Sequence, residues 1–253
     1  MKSAIRNAWL RPAPNAPPDR QVLVGDRFRI EDRQETWVKG VTDKDNYPGW
    51  LPENALAPAI APTHWIAVRT TWGFAAPDIK SEPLIDLHMT SELEARDKEG
   101  GWLEATFGDR TVFIPKEHCR AMAARMRDPV AAARAFLDTP YVWAGNTGFG
   151  LDCSGLVQAA LRATGIPCPA DSGDQERMSG DHLTETDPHL PGDLIFWTGH
   201  VAMATGPDTI IHANAHHMKV VEEPRNQAES RIAASATGPV TSRLRPSKPG
   251  QFE

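Results

Sequence analysis

The chain has 253 residues, 40 % of them apolar, and a formal net charge of -6. That length accommodates one large domain or two to three small ones with real cores, and the acidic balance excludes the basic footprint of a nucleic-acid binder. Its three cysteines, Cys119, Cys153 and Cys168, are odd in number and scattered, which excludes a disulfide framework or zinc knuckle and fits a reducing compartment.

The N-terminal stretch MKSAIRNAWLRPAP lacks an apolar run of signal-peptide length. The most apolar linker, ALAPAIAP, is short and broken by prolines, so no membrane span is expected. These features lead us to expect a soluble cytoplasmic protein without membrane contact.

The first half of the chain repeats itself. VGDRFRIEDRQETWVKG aligns with MTSELEARDKEGGWLEA, so that Val24 and Trp37 are as far apart as Met89 and Trp102, and Leu51-Pro52 then matches Ile114-Pro115. Each copy is turn-rich, with Trp and Val near alternation and Gly, Asp and Asn as punctuation, the pattern of short strands. Two small β-barrels are expected, over residues 1–60 and 61–119, joined by the proline-rich APAIAPTH. Both copies resemble bacterial SH3 domains.

Composition changes near residue 120. In RDPVAAARAFLDTPYVWAG, Asp128 is a natural N-cap, Pro129 fits the first helical position, and an alanine-rich run follows, so a helix ending before Pro140 is expected. LDCSGLVQAALRATGIP reads as a second helix, with Leu156, Val157, Ala160 and Leu161 at helical spacing and Gly165 and Pro167 as the stop. PGDLIFWTGHVAMATGPDTIIHAN then reads as two strands around Gly206-Pro207-Asp208. QAESRIAASAT suggests a short helix, PVTSRLRP a last strand and SKPGQFE a loose tail. Helices followed by strands make residues 120–253 an α+β domain.

Cys153 lies in the first turn of the second helix, where unpaired N–H groups and the helix dipole favour negative charge. Such settings lower a thiol from about 8.5 into the range of roughly 3.5–7.5. Small Ser154 and Gly155 let a substrate approach, and the glycine-rich segment from Gly145 to Gly150 brings backbone donors near. Cys119 aligns with Leu56 and Cys168 sits between two prolines, so both are expected to be inert. A thiol nucleophile needs a base. His200 and His212 lie in the two successive strands, and a hairpin centred on residue 206 sets them directly opposite, with Cβ atoms about 4.5–5.5 Å apart. One imidazole then orients the other, the nucleophile–base–orienter arrangement. His216 and His217 fall beyond the strand, in a loop; a metal site built from the four histidines is the alternative reading, but no acidic residue sits at metal-ligand spacing and no metal is expected.

The stretches TPYVWAGNTGFGLDCSGLVQ, PGDLIFWTGHVAM and IIHAN occur in the order found in the NlpC/P60 family, which residues 128–245 resemble. The resemblance implies an α+β, papain-like NlpC/P60 catalytic domain preceded by two SH3-like β-barrels. It implies Cys153 as nucleophile, His200 as general base and His212 as the orienting residue. The family's usual pair of glycines after the aromatic is departed from at Ala144. ADSGDQ further resembles the DSxxQ signature of the subgroup with N-terminal SH3 domains, whose members cleave the γ-D-glutamyl–diamino acid bond of murein peptides carrying a free N-terminal L-alanine. By that resemblance Asp171 pairs with the substrate amine and Ser172 supports it. Tyr47 closes the cleft, Asp26 is a second carboxylate for the amine, and Tyr141 joins the Cys153 N–H in meeting the oxyanion.

The expected activity is therefore hydrolysis of small murein peptides such as L-Ala-γ-D-Glu-diaminopimelate by a monomer, without metal or organic cofactor, in cell-wall peptide recycling. A binding module with a vestigial catalytic domain is the first alternative, and the intact Cys153–His200–His212 set argues against it. An acyltransferase sharing the same acyl-enzyme is the second, separable by its products when an amine is added.

Overall fold

The computed structural model describes residues 1–247, so the tail SKPGQFE lies outside the described residues except for Ser247. Two compact units are present: Met1–Arg125 with Asn146–Gly148, and Met126–Gly145 with Phe149–Glu253.

In the first unit the initial repeat forms β1 (Lys2–Ala4), β2 (Ala8–Leu10), β3 (Arg20–Val22), β4 (Arg27–Gln34), β5 (Trp37–Thr42), β6 (Pro48–Pro52) and β7 (Leu56–Pro58). The next repeat forms β8 (His64–Ile66), β9 (Thr70–Phe74), β10 (Pro83–His88), β11 (Glu92–Leu93), β12 (Ala95–Lys98), β13 (Trp102–Phe107), β14 (Arg110–Pro115) and β15 (Cys119–Ala121). The aligned tryptophans open equivalent strands, β5 and β13. After β6 and after β14, each ending on proline, one 3-10 turn leads into β7 and β15. The order β6-β5-β4-β1-β7 is a single sheet in the first copy. In the second it divides into β10-β9-β14-β13-β12 and β11-β8-β15, because the counterpart of β4 breaks at Glu94.

Each repeat has its own apolar core. Leu10, Phe28, Val38 and Leu51 centre the first, and Ile66, Leu87, Leu103 and Ile114 are buried in the second. Val24 from the first repeat is packed within the second core, so the two copies share apolar surface. The unit extends past residue 119: Met122 N–H donates to Thr63 O at 3.0 Å, Trp65 Nε1 donates to Ala124 O at 3.2 Å, and Arg125 stacks 5.4 Å above the Trp65 ring. Those contacts place the boundary at Arg125/Met126 instead of at 119/120.

The second unit begins with α1 (Pro129–Arg134), whose N-cap Asp128 accepts the Val130 N–H at 2.8 Å. It is shorter than its alanine run suggests and gives way to turns before Pro140. The short strand β16 (Asn146–Thr147) belongs to the first unit, and the second continues with β17 (Gly150–Leu151), α2 (Cys153–Ala163), α3 (Ser172–Gln175) and β18 (Gly180–His182). There follow β19 (Leu194–Trp197), β20 (His200–Ala204), β21 (Thr209–Asn214), β22 (Lys219–Pro224), α4 (Arg225–Ala233) and β23 (Ser242–Pro246). The six-stranded antiparallel sheet runs β18-β23-β19-β20-β21-β22, and α2 lies against β20 and β21.

Two expectations change here. The segment expected to be two strands is three, because Thr198 and Gly199, the latter at φ +72°, turn the chain between β19 and β20. The β20–β21 hairpin is centred one residue later than expected. Met203 pairs with Ile211 and Ala204 with Ile210, and Thr205 N–H donates to Thr209 O. The pairing ends at Met203 and Ile211, so His200 and His212 lie beyond it on the two diverging strand ends. The two histidines are not directly opposed as expected, and they meet through their rings, His200 Nε2 to His212 Nδ1 at 2.9 Å.

Candidate active site

Cys153 opens α2, and the reason the helix starts there is local. Asp152, 7 % exposed, is the N-cap: its Oδ1 accepts the Gly155 N–H at 2.7 Å and the Ser154 hydroxyl at 2.9 Å. Its Oδ2 accepts the Ala144 N–H at 3.0 Å, which ties the preceding loop to the helix mouth. Burial pushes the Cys153 thiol up to about 12, aided by the Asp152 charge and opposed by N–H groups of Val201, Ser154 and Cys153 itself. This is opposite to the shift expected from the helix N-terminus alone. The N–H groups are present at the sulfur, but desolvation and the adjacent carboxylate outweigh them, so the resting sulfur is a neutral thiol.

Val201 directly follows His200, so one strand end brings both an N–H and an imidazole to the sulfur's surroundings. Burial lowers His200 to about 3, with the His212 and Arg231 charges adding to that and Glu223 opposing it. Its Nε2 is 2.9 Å from His212 Nδ1, and His212 Nε2 is 2.7 Å from Glu223 Oε1. Arg231 closes the series with two bonds to Glu223, at 2.8 and 2.6 Å. Burial alone would raise the Glu223 carboxyl, but hydrogen bonds from His212 and Arg231 reverse this and hold it at about 2.

These contacts define the tautomers. An ionised carboxylate only accepts, so His212 Nε2 carries the hydrogen. Burial keeps His212 below its ordinary value despite Glu223, and a neutral His212 therefore presents Nδ1 as an acceptor. His200 Nε2–H must donate to it, which leaves the His200 Nδ1 lone pair to receive a proton. Cys153, His200 and Tyr141 line one cavity of about 350 Å³. The arrangement can take a proton from the thiol, stabilise the resulting imidazolium and return the proton to a leaving group.

Glu223 and Arg231 were not singled out by the sequence. Glu223 stands on β22, where His212 pairs with Val221, so Glu223 is diagonal to His212. The signal was the acidic pair Glu222-Glu223 after the exposed His216-His217 turn, in a segment whose strand character went unassigned.

The remaining candidates are distributed as follows. Half-buried Tyr141 lines the cavity, and burial together with the Cys153 and Asp152 charges pushes its hydroxyl up to about 12, so it stays a donor. Asp171 is the exposed N-cap residue of α3 and Ser172 its first residue. Gln175 of the same motif is fully buried, and its Nε2 donates to Ser154 O and to Pro169 O, both at 3.0 Å. It thus pins the Asp171 loop to the first turn of α2. Asp26 is 3 % exposed, accepts the Leu23 N–H at 2.8 Å and is ion-paired with Lys44. Its carboxylate is committed inside the first unit, which removes the basis for assigning it to a substrate amine. Tyr47 is half-buried against the first core. Cys119 is partly buried and raised to about 12 by desolvation, and buried Cys168 turns its thiol to Pro169 O. Among the described residues no helix is long and apolar enough to cross a membrane, and no group of three His, Cys, Asp or Glu is placed to hold a metal.

Residues 138–236 match the model described as the NlpC/P60 family, a span that contains Cys153, His200, His212, Glu223 and Arg231. The chain carries an NlpC/P60 domain. Residues 10–56 match the bacterial dipeptidyl-peptidase Sh3 domain. The NlpC/P60 assignment makes the chain a cysteine peptidase, a hydrolase. A γ-D-glutamyl-L-lysine dipeptidyl-peptidase of Bacillus cereus is 27 % identical to it over 243 residues, 81 % of this chain and 70 % of that protein. The protein of the same name from Bacillus subtilis is 27 % identical over 216 residues, 76 % of this chain and 71 % of that one. In fold, an NlpC/P60 family protein from Bacillus cereus superposes with a TM-score of 0.79 at 21 % identity, over 97 % of this chain and 99 % of that one.

Proposed function

We propose that this NlpC/P60 peptidase hydrolyses the γ-D-glutamyl–diamino acid bond of free murein peptides with an unblocked N-terminal L-alanine, releasing L-Ala-D-Glu. The observation that carries the reading is the continuous series from the Cys153 cavity through His200 and His212 to Glu223 and Arg231. The relatives' activity on γ-D-glutamyl-L-lysine bonds supports the choice of substrate.

In the reaction the Cys153 thiol passes its proton to His200 Nδ1 as the sulfur attacks the γ-carbonyl carbon. The tetrahedral oxyanion is met by the Cys153 N–H and the Tyr141 hydroxyl. His200 gives the proton to the departing α-amine of the diamino acid and the C–N bond breaks. Water, deprotonated by His200, then attacks the thioester, and the sulfur leaves with the proton. His212, held by Glu223, keeps the base in the tautomer both steps require.

Exposed Asp171, with Ser172 beside it, is the carboxylate we assign to the substrate's α-ammonium group. An N-acylated stem has no cation to offer it, so the activity belongs to peptides already freed from the glycan, as in wall-peptide recycling. The test is incubation of wild type and Cys153→Ala with free and N-acetylated L-Ala-γ-D-Glu-L-Lys. Cleavage of the free peptide by wild type alone is expected. Equal turnover of the acetylated peptide would remove Asp171's role, and product from Cys153→Ala would remove the nucleophile.

A further inference from the structure

Around the reacting groups, the cavity wall includes Asn214, His216, Arg231, Ser235 and Thr237, and none of the described residues lining it is acidic. Asn214 is 7 % exposed. Its Oδ1 accepts both the His217 N–H at 2.8 Å and His217 Nδ1 at 3.1 Å. Those two donors fix which way the amide faces, so the other end is the NH2 group, and Nδ2 is buried with no partner among the described residues. A buried donor left unsatisfied costs about 1–3 kcal/mol.

Arg231 is the second donor. Its fork spends one hydrogen of each Nη on Glu223. Of the five hydrogens a guanidinium carries, three remain, and they have no acceptor among the described residues. The side chain is 29 % exposed and lines the cavity. An unsatisfied amide NH2 and a guanidinium edge, in a wall without acids, call for an anionic ligand with two acceptor oxygens.

The proposed reaction supplies one in the right place. The diamino acid's α-carboxylate is bonded to the same carbon as the scissile nitrogen. His200 must reach that nitrogen, so the carboxylate falls among the immediate neighbours of His200. Asn214 and Arg231 line the same cavity as His200.

We propose that Asn214 and Arg231 bind the free α-carboxylate of the residue that leaves, so that the peptidase prefers murein peptides ending at the diamino acid to those extended or capped beyond it. This rests on the substrate reading above.

The test compares L-Ala-γ-D-Glu-L-Lys with its C-terminal carboxamide, in wild type and in Asn214→Asp. That substitution keeps the Oδ1 acceptor for the His217 turn and replaces the donor by a carboxylate oxygen. Wild type is expected to favour the free acid in kcat/KM by about tenfold or more, and Asn214→Asp to lose or invert the preference. Product inhibition of wild type needs no variant: L-lysine should inhibit more strongly than L-lysinamide. Equal kcat/KM for the two peptides, or equal inhibition by the two amines, would overturn the carboxylate site and leave the peptidase reading standing. An unchanged preference in folded Asn214→Asp would overturn it as well. Failure of wild type to cleave either peptide would overturn both.

Discussion

The Glu223 carboxylate lies 2.7 Å from His212 Nε2, and that contact decides which nitrogen of two successive imidazoles carries a hydrogen. It is a diagonal cross-strand contact, and His212 in turn meets His200 ring to ring at 2.9 Å. Which His200 nitrogen is left free to accept a proton is therefore set by a carboxylate two side chains away.

Glu223 and Arg231 are positioning residues, and their removal should shift activity along the pH axis in opposite directions. Loss of the carboxylate in Glu223→Ala removes what favours the imidazolium, so the acid limb of Cys153 alkylation by iodoacetamide should move to lower pH. Loss of the cation in Arg231→Met leaves Glu223 uncompensated, so the limb should move to higher pH. Both should slow the reaction at neutral pH, because the base is then held less well in the tautomer it needs. Structural damage alone would lower both amplitudes without opposed shifts.

With Cys153 raised to about 12 and His200 lowered to about 3, the resting pair is neutral. Thiolate absorbance near 240 nm should therefore be absent from the free protein at pH 7. An unfolded histidine takes up a proton near 6.5, while the folded His200 does so only near 3. Its contribution to stability is complete above the unfolded value and is lost as pH falls towards 3. Glu223, held at about 2, adds a loss below its unfolded value of about 4.3. The thermal midpoint should fall steadily with acidification below about pH 6.5, and a flat profile down to pH 4 would contradict the assignment.

Gly145 lies on the loop that Asp152 ties to α2. A Cβ there would meet Gly150 O at 2.6 Å and Leu151 Cα at 3.0 Å, both backbone atoms. Gly145→Ala should cost about 1–3 kcal/mol and displace the helix mouth, read as a lower thermal midpoint together with a lower kcat.

Gln175 joins the Asp171 loop to the first turn of α2 through Ser154 O. Gln175→Ala should cost about 1–3 kcal/mol from the unpaired carbonyls. The loosened loop should raise KM for the free peptide more than it lowers kcat. Equal effects on both parameters would place its influence at the sulfur.

What was legible in the sequence was what local chemistry fixes. Asp128 announces its helix because an N-cap acts within three residues, whereas the Asp152 cap of α2 emerged only from the structure. The repeat was legible because its aligned tryptophans and prolines open and close equivalent strands. The histidine pair was found with its register displaced, since Gly206-Pro207-Asp208 accommodates more than one hairpin centre and only the Thr205–Thr209 pairing selects among them. Glu223 and Arg231 stayed hidden because a strand and a helix beyond an exposed turn must fold back to deliver them. The paired state of Asp26 likewise depends on Lys44 returning from a different strand hairpin.

The most direct test of the central claim, that the Cys153 sulfur is acylated by the γ-glutamyl group, is rapid-quench mass spectrometry with L-Ala-γ-D-Glu-L-Lys. An L-Ala-γ-D-Glu adduct is expected on the peptide containing Cys153 during turnover, vanishing as substrate is exhausted and absent from Cys153→Ala. Release of L-Ala-D-Glu by Cys153→Ala, or an adduct carried by Cys119 or Cys168 instead, would contradict it.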